Sequence, residues 1–252
     1  MVETKDAQKN DGILVLNPVI ERYVFSKPFQ GDDAREVYKT VKGRVSRDFK
    51  NAPVFNGYFQ FNEETGEING SNIFYGILIN EELSKEGLWL PTIAEAKMLN
   101  FAGRLKNGFY RDYGMAVYNG QNPNSEIAEI LIKEASKKSW TLPVLASIKG
   151  LTLKRSRNQF GVGVHFNRSE EGIITGKEAS KYLKGQINYP GTNGACRLSR
   201  NWDGYWDASW GDLSNSDDGG RVDFVCGEAS AKNLEGAVLN EINKVSQNEA
   251  KR

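Results

Sequence analysis

Apolar residues recur along the chain at two spacings, and these divide it into helix and strand candidates. Residues 13–25 are rich in branched and aromatic side chains, which favour extended backbone. From Ala34 the spacing changes to threes and fours. Ala34, Val37, Tyr38, Val41 and Val45 mark one face of a helix, with Asp32 or Asp33 placed to cap it. Residues 54–61 (VFNGYFQF) and 73–79 (IFYGILI) read as strands flanking a glycine-rich turn, EETGEINGSN. Thr92 and Glu95 have the spacing of a capping box, in which each side chain satisfies a backbone N–H of the first turn. They predict a helix running to about Leu105. Asn124 or Ser125 opens another helix, with Ile127, Ile130, Leu131 and Ala135 on one side. Residues 142–153 and 160–166 are strand candidates. Thr175 and Glu178 repeat the capping-box pattern over a short helix that Gly185 ends.

Residues 188–220 break the pattern. They are rich in Gly, Asn, Asp and Ser and read mostly as loop. Residues 221–226 (RVDFVC) form a closing strand, and Leu234, Val238, Ile242 and Val245 suggest an amphipathic C-terminal helix. Strands and helices are grouped rather than strictly alternating, which argues for an α+β fold. The expected organisation is a tail over 1–12, one domain over 13–228 with its binding region at about 195–226, and a C-terminal helix and tail over 229–252.

Composition narrows the function. At 252 residues, 39% hydrophobic and 26% charged, the chain can bury a sizeable core. Its 33 basic and 32 acidic residues leave a net charge of +1, so no global field favours a polyanion and nucleic acid is not expected as a partner. No run approaches the roughly 18 apolar residues that span a bilayer, so no membrane insertion is expected. Residues 1–12 are polar and unlike a secretory leader. A cytoplasmic location is the default expectation, with surface or virion display compatible. The two cysteines, Cys196 and Cys226, are either small strand thiols or a disulfide between neighbouring strands. The one histidine, His165, lies in an alternating strand-like run, which disfavours thiol catalysis. The basic run Lys154-Arg155-Ser156-Arg157 reads as a solvated face.

The segment between the cysteines stands apart. Trp202, Trp206 and Trp210 fall within nine residues, with Tyr205 among them. Five aspartates (203, 207, 212, 217 and 218) accompany them, with no lysine or arginine from 201 to 218. Aromatic side chains offer wide, stiff contact area at low entropy cost, and Asp, Asn and Ser supply adjustable polar contacts. Gly204, Gly211 and Gly219 disfavour a helix here. Asn201, Asp203, Tyr205, Asp207 and Asp212 fall on positions 1, 3, 5, 7 and 12 of a calcium-loop template. Trp206 stands where the template needs Gly, and Asp212 where it needs a bidentate Glu, so no metal is expected. Asp203 and Asp207 are a carboxylate pair with no sign of a pocket that would raise one pKa. No phosphate loop, zinc signature or nucleophile elbow is present. The expectation is a binding protein without a cofactor, not an enzyme.

Several motifs carry a family resemblance. Leu90-Pro91-Thr92-Ile93-Ala94-Glu95, followed by Phe101-Ala102-Gly103, resembles the L-P-T-x-A-E motif of the formylglycine-generating-enzyme branch of C-type-lectin-like folds. Asp33-Ala34 with Tyr38 is similar to that branch's D-A-x-x-Y first helix. Gly194-Ala195-Cys196-Arg197 through Arg200, then Gly220-Arg221-Val222-Asp223-Phe224, is similar to its last block. The resemblance covers roughly residues 30–226. It implies a C-type-lectin-like fold: small antiparallel sheets, two main helices and a long loop-rich binding region. Within that branch, 196–226 looks most like the variable region of diversity-generating retroelement proteins, archaeal and viral ones included. There a reverse transcriptase rewrites adenines, and Asn codons become codons for other, mostly polar residues. Asn201, Asp203, Tyr205, Asp207, Ala208, Ser209, Asp212, Ser214, Asn215 and Asp217 fit such positions and are the implied ligand contacts. Tryptophan cannot arise this way, so Trp202, Trp206 and Trp210 are implied scaffold, with Arg200 and Arg221. The implied partner is a protein or surface ligand. The alternative is a carbohydrate-binding or virion structural protein of fixed specificity. The paired catalytic cysteines of the oxidase are lacking, as is the tripeptide of Ca²⁺-dependent lectins, so neither activity carries over.

Overall fold

The computed structural model describes residues 13–17, 22–101, 105, 108–120, 122–166, 173–174, 187–188, 194–200, 206–208, 212–222 and 224–228. A hairpin of β1 (Ile13–Asn17) and β2 (Arg22–Pro28) leads into α1 (Gly31–Asp48) and a 3-10 turn, Pro53–Phe55. A second hairpin, β3 (Gln60–Asn62) and β4 (Glu67–Asn69), precedes α2 (Ile73–Leu83), β5 (Leu88–Trp89) and α3 (Ile93–Phe101). The long strand β6 (Tyr110–Tyr118), α4 (Glu126–Lys138) and the strands β7 (Val144–Ser147), β8 (Leu151–Arg155) and β9 (Val162–Phe166) follow. The remaining strands are β10 (Ile173–Ile174), β11 (Ile187–Asn188), β12 (Ala195–Arg200), β13 (Trp206–Asp207), β14 (Gly220–Val222) and β15 (Phe224–Glu228).

Among the described residues three sheets form, and the architecture is mixed α+β. The first runs β1-β2-β15-β5, so that β15 closes between strands from the start of the chain. The largest runs β11-β13-β12-β6-β14-β4-β3, with β7 also on β6 and β10 on β7. Its hub is β6: one edge pairs with β12, and the other pairs with β14 at Tyr110–Arg111 and with β7 at Met115–Tyr118. The third is the hairpin β8-β9.

The alternation of β6 splits the interior in two. Ala116 and Tyr118 join α1, α2 and α4 in the main core, with Ile68, Val144, Ala195 and Val222. Met115 and Val117 face the other way and pack with Leu145, Leu198 and Ala208 against Ile93, Ala96 and Leu99 of α3. Each fully buried aliphatic side chain of this kind contributes about 1.5–3 kcal/mol relative to exposure. Among the described residues no helix is long and apolar enough to cross a membrane.

Several expected elements are present. In α1, Ala34 and Val41 are buried and Val37, Tyr38 and Val45 pack against the main core, which is the face expected from the spacing. The capping box of α3 closes reciprocally. Thr92 N donates to Glu95 Oε2 at 2.7 Å and Glu95 N to Thr92 Oγ1 at 3.4 Å. Ser125 caps α4, accepting from Ala128 N.

Other elements differ from expectation, each for a physical reason. Residues 73–79 are not a strand but the first two turns of α2. This helix is buried on nearly every side, so it has no polar face and no helical period to read. Residues 54–61 divide: Pro53 opens a 3-10 turn and extended pairing begins only at Gln60. Residues 142–153 are interrupted where the Ser147 hydroxyl accepts from Lys149 N and turns the chain. The glycine-rich stretch after 62 contains β4 as well as a turn. The 188–220 segment is less loop than expected, because β12 lies beside the hub strand with Arg197, Ser199 and Arg200 all buried. Polar residues inside the sheet hid that strand. Residues 221–226 are not one strand: β14 and β15 belong to different sheets. Gln30, not Asp32 or Asp33, is the N-cap of α1, and the two aspartates lie in its first turn, where their charge suits the helix dipole. The expected helices after Thr175 and over 234–245, and the 1–12 tail, lie outside the described residues.

Candidate functional site

Residues 212–219 run over the N-terminus of α2 and the start of β6, and backbone atoms hold them there. Asn72 caps α2, accepting from Tyr75 N at 2.9 Å. The same amide donates through Nδ2 to Ser214 O and to Val54 O, both at 2.8 Å. Arg197 Nη1 donates to Asn215 O at 2.8 Å. Asp217 N donates to Tyr110 Oη at 3.0 Å, and Tyr58 N to Ser216 O at 3.2 Å. Ile73 N donates to Leu213 O, and Arg221 Nη1 to Asp218 O and Gly220 O. One apolar side chain, Leu213, is buried in the main core.

Most of the other side chains of the segment face outward; Ser216 is the exception, its Oγ donating to Tyr58 O at 2.5 Å. Asp212, Asn215, Asp217 and Asp218 are exposed, and Ser214 is half-buried. Asp212 Oδ1 accepts from Ser214 N at 3.1 Å and Asp217 Oδ1 from Gly219 N at 2.9 Å, short-range bonds that shape local turns. The loop is thus placed by its backbone, by side chains that lie elsewhere in the chain, and by two side chains of its own: Leu213 in the core and Ser216, whose Oγ donates to Tyr58 O.

Among the implied ligand contacts, Asp212, Ser214, Asn215 and Asp217 come together on this loop. Asp207 and Ala208 do not join them: both are buried, Ala208 against the α3 core. Asp207 lies on β13, opposite Ser199 of β12, and Ala208 follows directly after that strand. Trp206 lies on the same strand opposite Arg200. Arg200 is buried and donates to Asn100 Oδ1 at 2.9 Å. Arg221 is half-buried, 4.1 Å above the Phe109 ring. Asn201, Trp202, Asp203, Tyr205, Ser209 and Trp210 lie outside the described residues.

Beneath the loop, Arg197 stacks on Tyr110 at 4.6 Å and faces the buried carboxylate of Asp112. Burial pushes Asp112 up to about 6, against the opposing effects of the Arg197 charge and the Gly114 N–H, which donates at 3.1 Å. Asn72, Tyr58, Tyr110 and Arg197 hold the loop, yet no spacing rule marks them as parts of a site. Asn72 had one usable signal: it immediately precedes the long apolar run of α2, where a helix cap belongs.

Both cysteines are free thiols, on strands of different sheets. Burial and the neighbouring Glu95 carboxylate push the Cys226 thiol well above its ordinary value, which removes nucleophilic character. Glu95 also accepts from Trp89 Nε1 at 3.3 Å, so this cluster ties α3 to the first sheet. Among the described residues no group of three or more His, Cys, Asp or Glu could hold a metal ion. Comparison of the chain with protein-family models, with curated proteins and with solved structures returned no match.

Proposed function

We propose that this chain is a ligand-binding protein that displays changeable polar side chains on a stable, C-type-lectin-like scaffold, in the manner of the variable proteins it resembles. Its target is a protein or surface ligand. One observation carries the reading. The 212–219 loop is fixed through backbone atoms, Leu213 and the Ser216 hydroxyl, while Asp212, Asn215, Asp217 and Asp218 project outward. A surface built this way can alter what it recognises without altering how it folds. Side chains that fold the loop are drawn from β6, β12 and the approach to α2, with Leu213 and Ser216 of the loop itself, all outside the four positions that change. Asp207 and Ala208 belong to the folded support on this reading, and the varied face is correspondingly smaller.

The test is a four-fold variant, Asp212→Asn, Asn215→Tyr, Asp217→Asn and Asp218→Ser, beside Leu213→Ala. The asparagines keep the local turn acceptors. The four-fold variant should unfold within about 4 °C of the parent, since surface changes away from special features are within about 0.5 kcal/mol each, of either sign, and 1 kcal/mol moves Tm by about 2–4 °C at this size. Leu213→Ala should cost about 2–5 kcal/mol. A library randomised at the four positions should fold in most members and yield binders to more than one target. A four-fold variant that unfolds many degrees lower rejects the proposal.

A further inference from the structure

A cleft of about 410 Å³ lies between the first half of α1, the end of α2 and the strands β2 and β5. The 3-10 turn Ser84–Glu86, which follows α2, forms part of its wall. Its size falls in the range of ligand sites, roughly 300–1,000 Å³. On α1 the lining residues Asp33, Glu36, Val37 and Thr40 recur at threes and fours, the spacing of one helix face. The floor is apolar: Phe29, Leu83 and Leu88 are 1%, 4% and 8% exposed. All three belong to the main core, so the base of the cleft is part of the packed interior.

Charge in the cleft is one-sided. Asp32, Asp33 and Glu36 stand on α1, and Glu82 and Glu86 on the α2 side, with Lys27 and Lys85 the basic residues among them. Both lysines are engaged: Lys27 Nζ donates to Asp33 Oδ2 at 2.8 Å, and Lys85 pairs with Glu82. Among the described residues Asp32, Glu36 and Glu86 have no basic partner. Asp32 lies in the first turn of α1, where the helix dipole suits it. Glu36 lies beyond that turn and four residues after Asp32, a like-charge spacing that destabilises a helix. Glu86 follows the C-terminal end of α2, where a dipole disfavours negative charge. Clefts lined by one sign of charge over low-dielectric walls focus the field and concentrate ions of the opposite sign.

We propose that this cleft docks a basic segment of a partner protein, taking a lysine or arginine side chain whose aliphatic stem lies along Phe29, Leu83 and Leu88 and whose cation meets Glu36 and Glu86. Charge complementarity and the apolar floor together select this occupant. Long basic side chains lay their stems on apolar surface and keep their heads among polar groups. A purely apolar segment would strip water from the carboxylates without replacing it, and an acidic one would be repelled. The inference does not rest on the variable-surface reading. The lining comes from residues 27–40 and 82–88, none of which the four-fold loop variant alters.

The experiment titrates the full chain with an acetylated hexalysine peptide and follows the methyl resonances of Val37, Leu83 and Leu88 in ¹H–¹³C spectra. These methyls should shift saturably with hexalysine and stay in place with hexaglutamate. Glu36→Gln combined with Glu86→Gln should weaken the response about three- to tenfold, the range that exposed ion pairs allow. Glu36→Lys combined with Glu86→Lys should abolish it. Both positions are exposed, so these variants should unfold at the temperature of the parent. The four-fold loop variant should keep the response at these three residues, which separates this cleft from the loop surface. Hexalysine that binds without moving the three residues overturns the proposal, as does a response unchanged in the double lysine variant. Spermidine moving the same methyls as tightly as hexalysine assigns a small polyamine and overturns the peptide occupant. Shifts that follow protein concentration alone place a second copy there and overturn it as well.

Discussion

Replacing Asn72 by alanine removes three hydrogen bonds made by one buried amide. Its Oδ1 caps α2 at Tyr75 N, and its Nδ2 donates to Val54 O and Ser214 O. Loss of the cap costs about 1 kcal/mol. Each buried carbonyl left without its donor costs about 1–3 kcal/mol. Allowing for partial relaxation, the sum is about 3–5 kcal/mol, a large share of the 5–15 kcal/mol that holds a typical domain. Asn72→Ser keeps a cap acceptor but loses both donations, so it should lose about 1 kcal/mol less than alanine. Urea denaturation followed by circular dichroism and tryptophan fluorescence measures both losses. Hydrogen exchange then separates the two consequences. The amides of 213–217 should exchange faster in both variants, whereas the first turn of α2 should loosen mainly in the alanine variant. A loss under about 1 kcal/mol for Asn72→Ala, or unchanged exchange at 213–217, would refute the idea that this amide holds the loop.

Two further predictions concern the same end of the sheet. Asp112 rises from 3.8 to about 6 on folding, so between these values the folded chain binds more protons than the unfolded chain. Its contribution to stability is therefore full below pH 3.8 and lost as pH rises through about 6, by up to roughly 3 kcal/mol. Asp112→Asn should flatten the pH profile of Tm across this window, and an unchanged slope would contradict the assignment. Gly70 has φ +75°, and a Cβ there would lie 2.2 Å from the Tyr58 carbonyl oxygen. Gly70→Ala should cost about 3 kcal/mol, whereas Gly43→Ala, in open space on α1, should stabilise by about 0.5–1 kcal/mol. Equal denaturation midpoints for the two variants would defeat this argument.

Local rules were sufficient where an element has one wet face or a self-contained cap. The α1 stripe, the Thr92–Glu95 box, the Ser125 cap and strand 162–166 depend on residues close in sequence, so the chain itself determines them. The mixed α+β class, read from the grouping of elements, belongs with these. Tertiary structure decided whatever is wet on no face or polar inside. The buried helix α2 has the composition of a strand, and only its enclosure by α1, β6 and β8 makes a helix of it. Strand β12 carries three buried polar residues, and only pairing with β6 makes a strand of it. The candidate surface divides in the same way. That 201–218 is acidic and aromatic is written in the residues. That Asp207 and Ala208 are buried while Asp212, Asn215 and Asp217 turn outward depends on packing around β13 and on anchors up to 158 residues away, as in the Tyr58–Ser216 bonds. Burial and long-range hydrogen bonding are properties of the packed chain, and no local spacing encodes them.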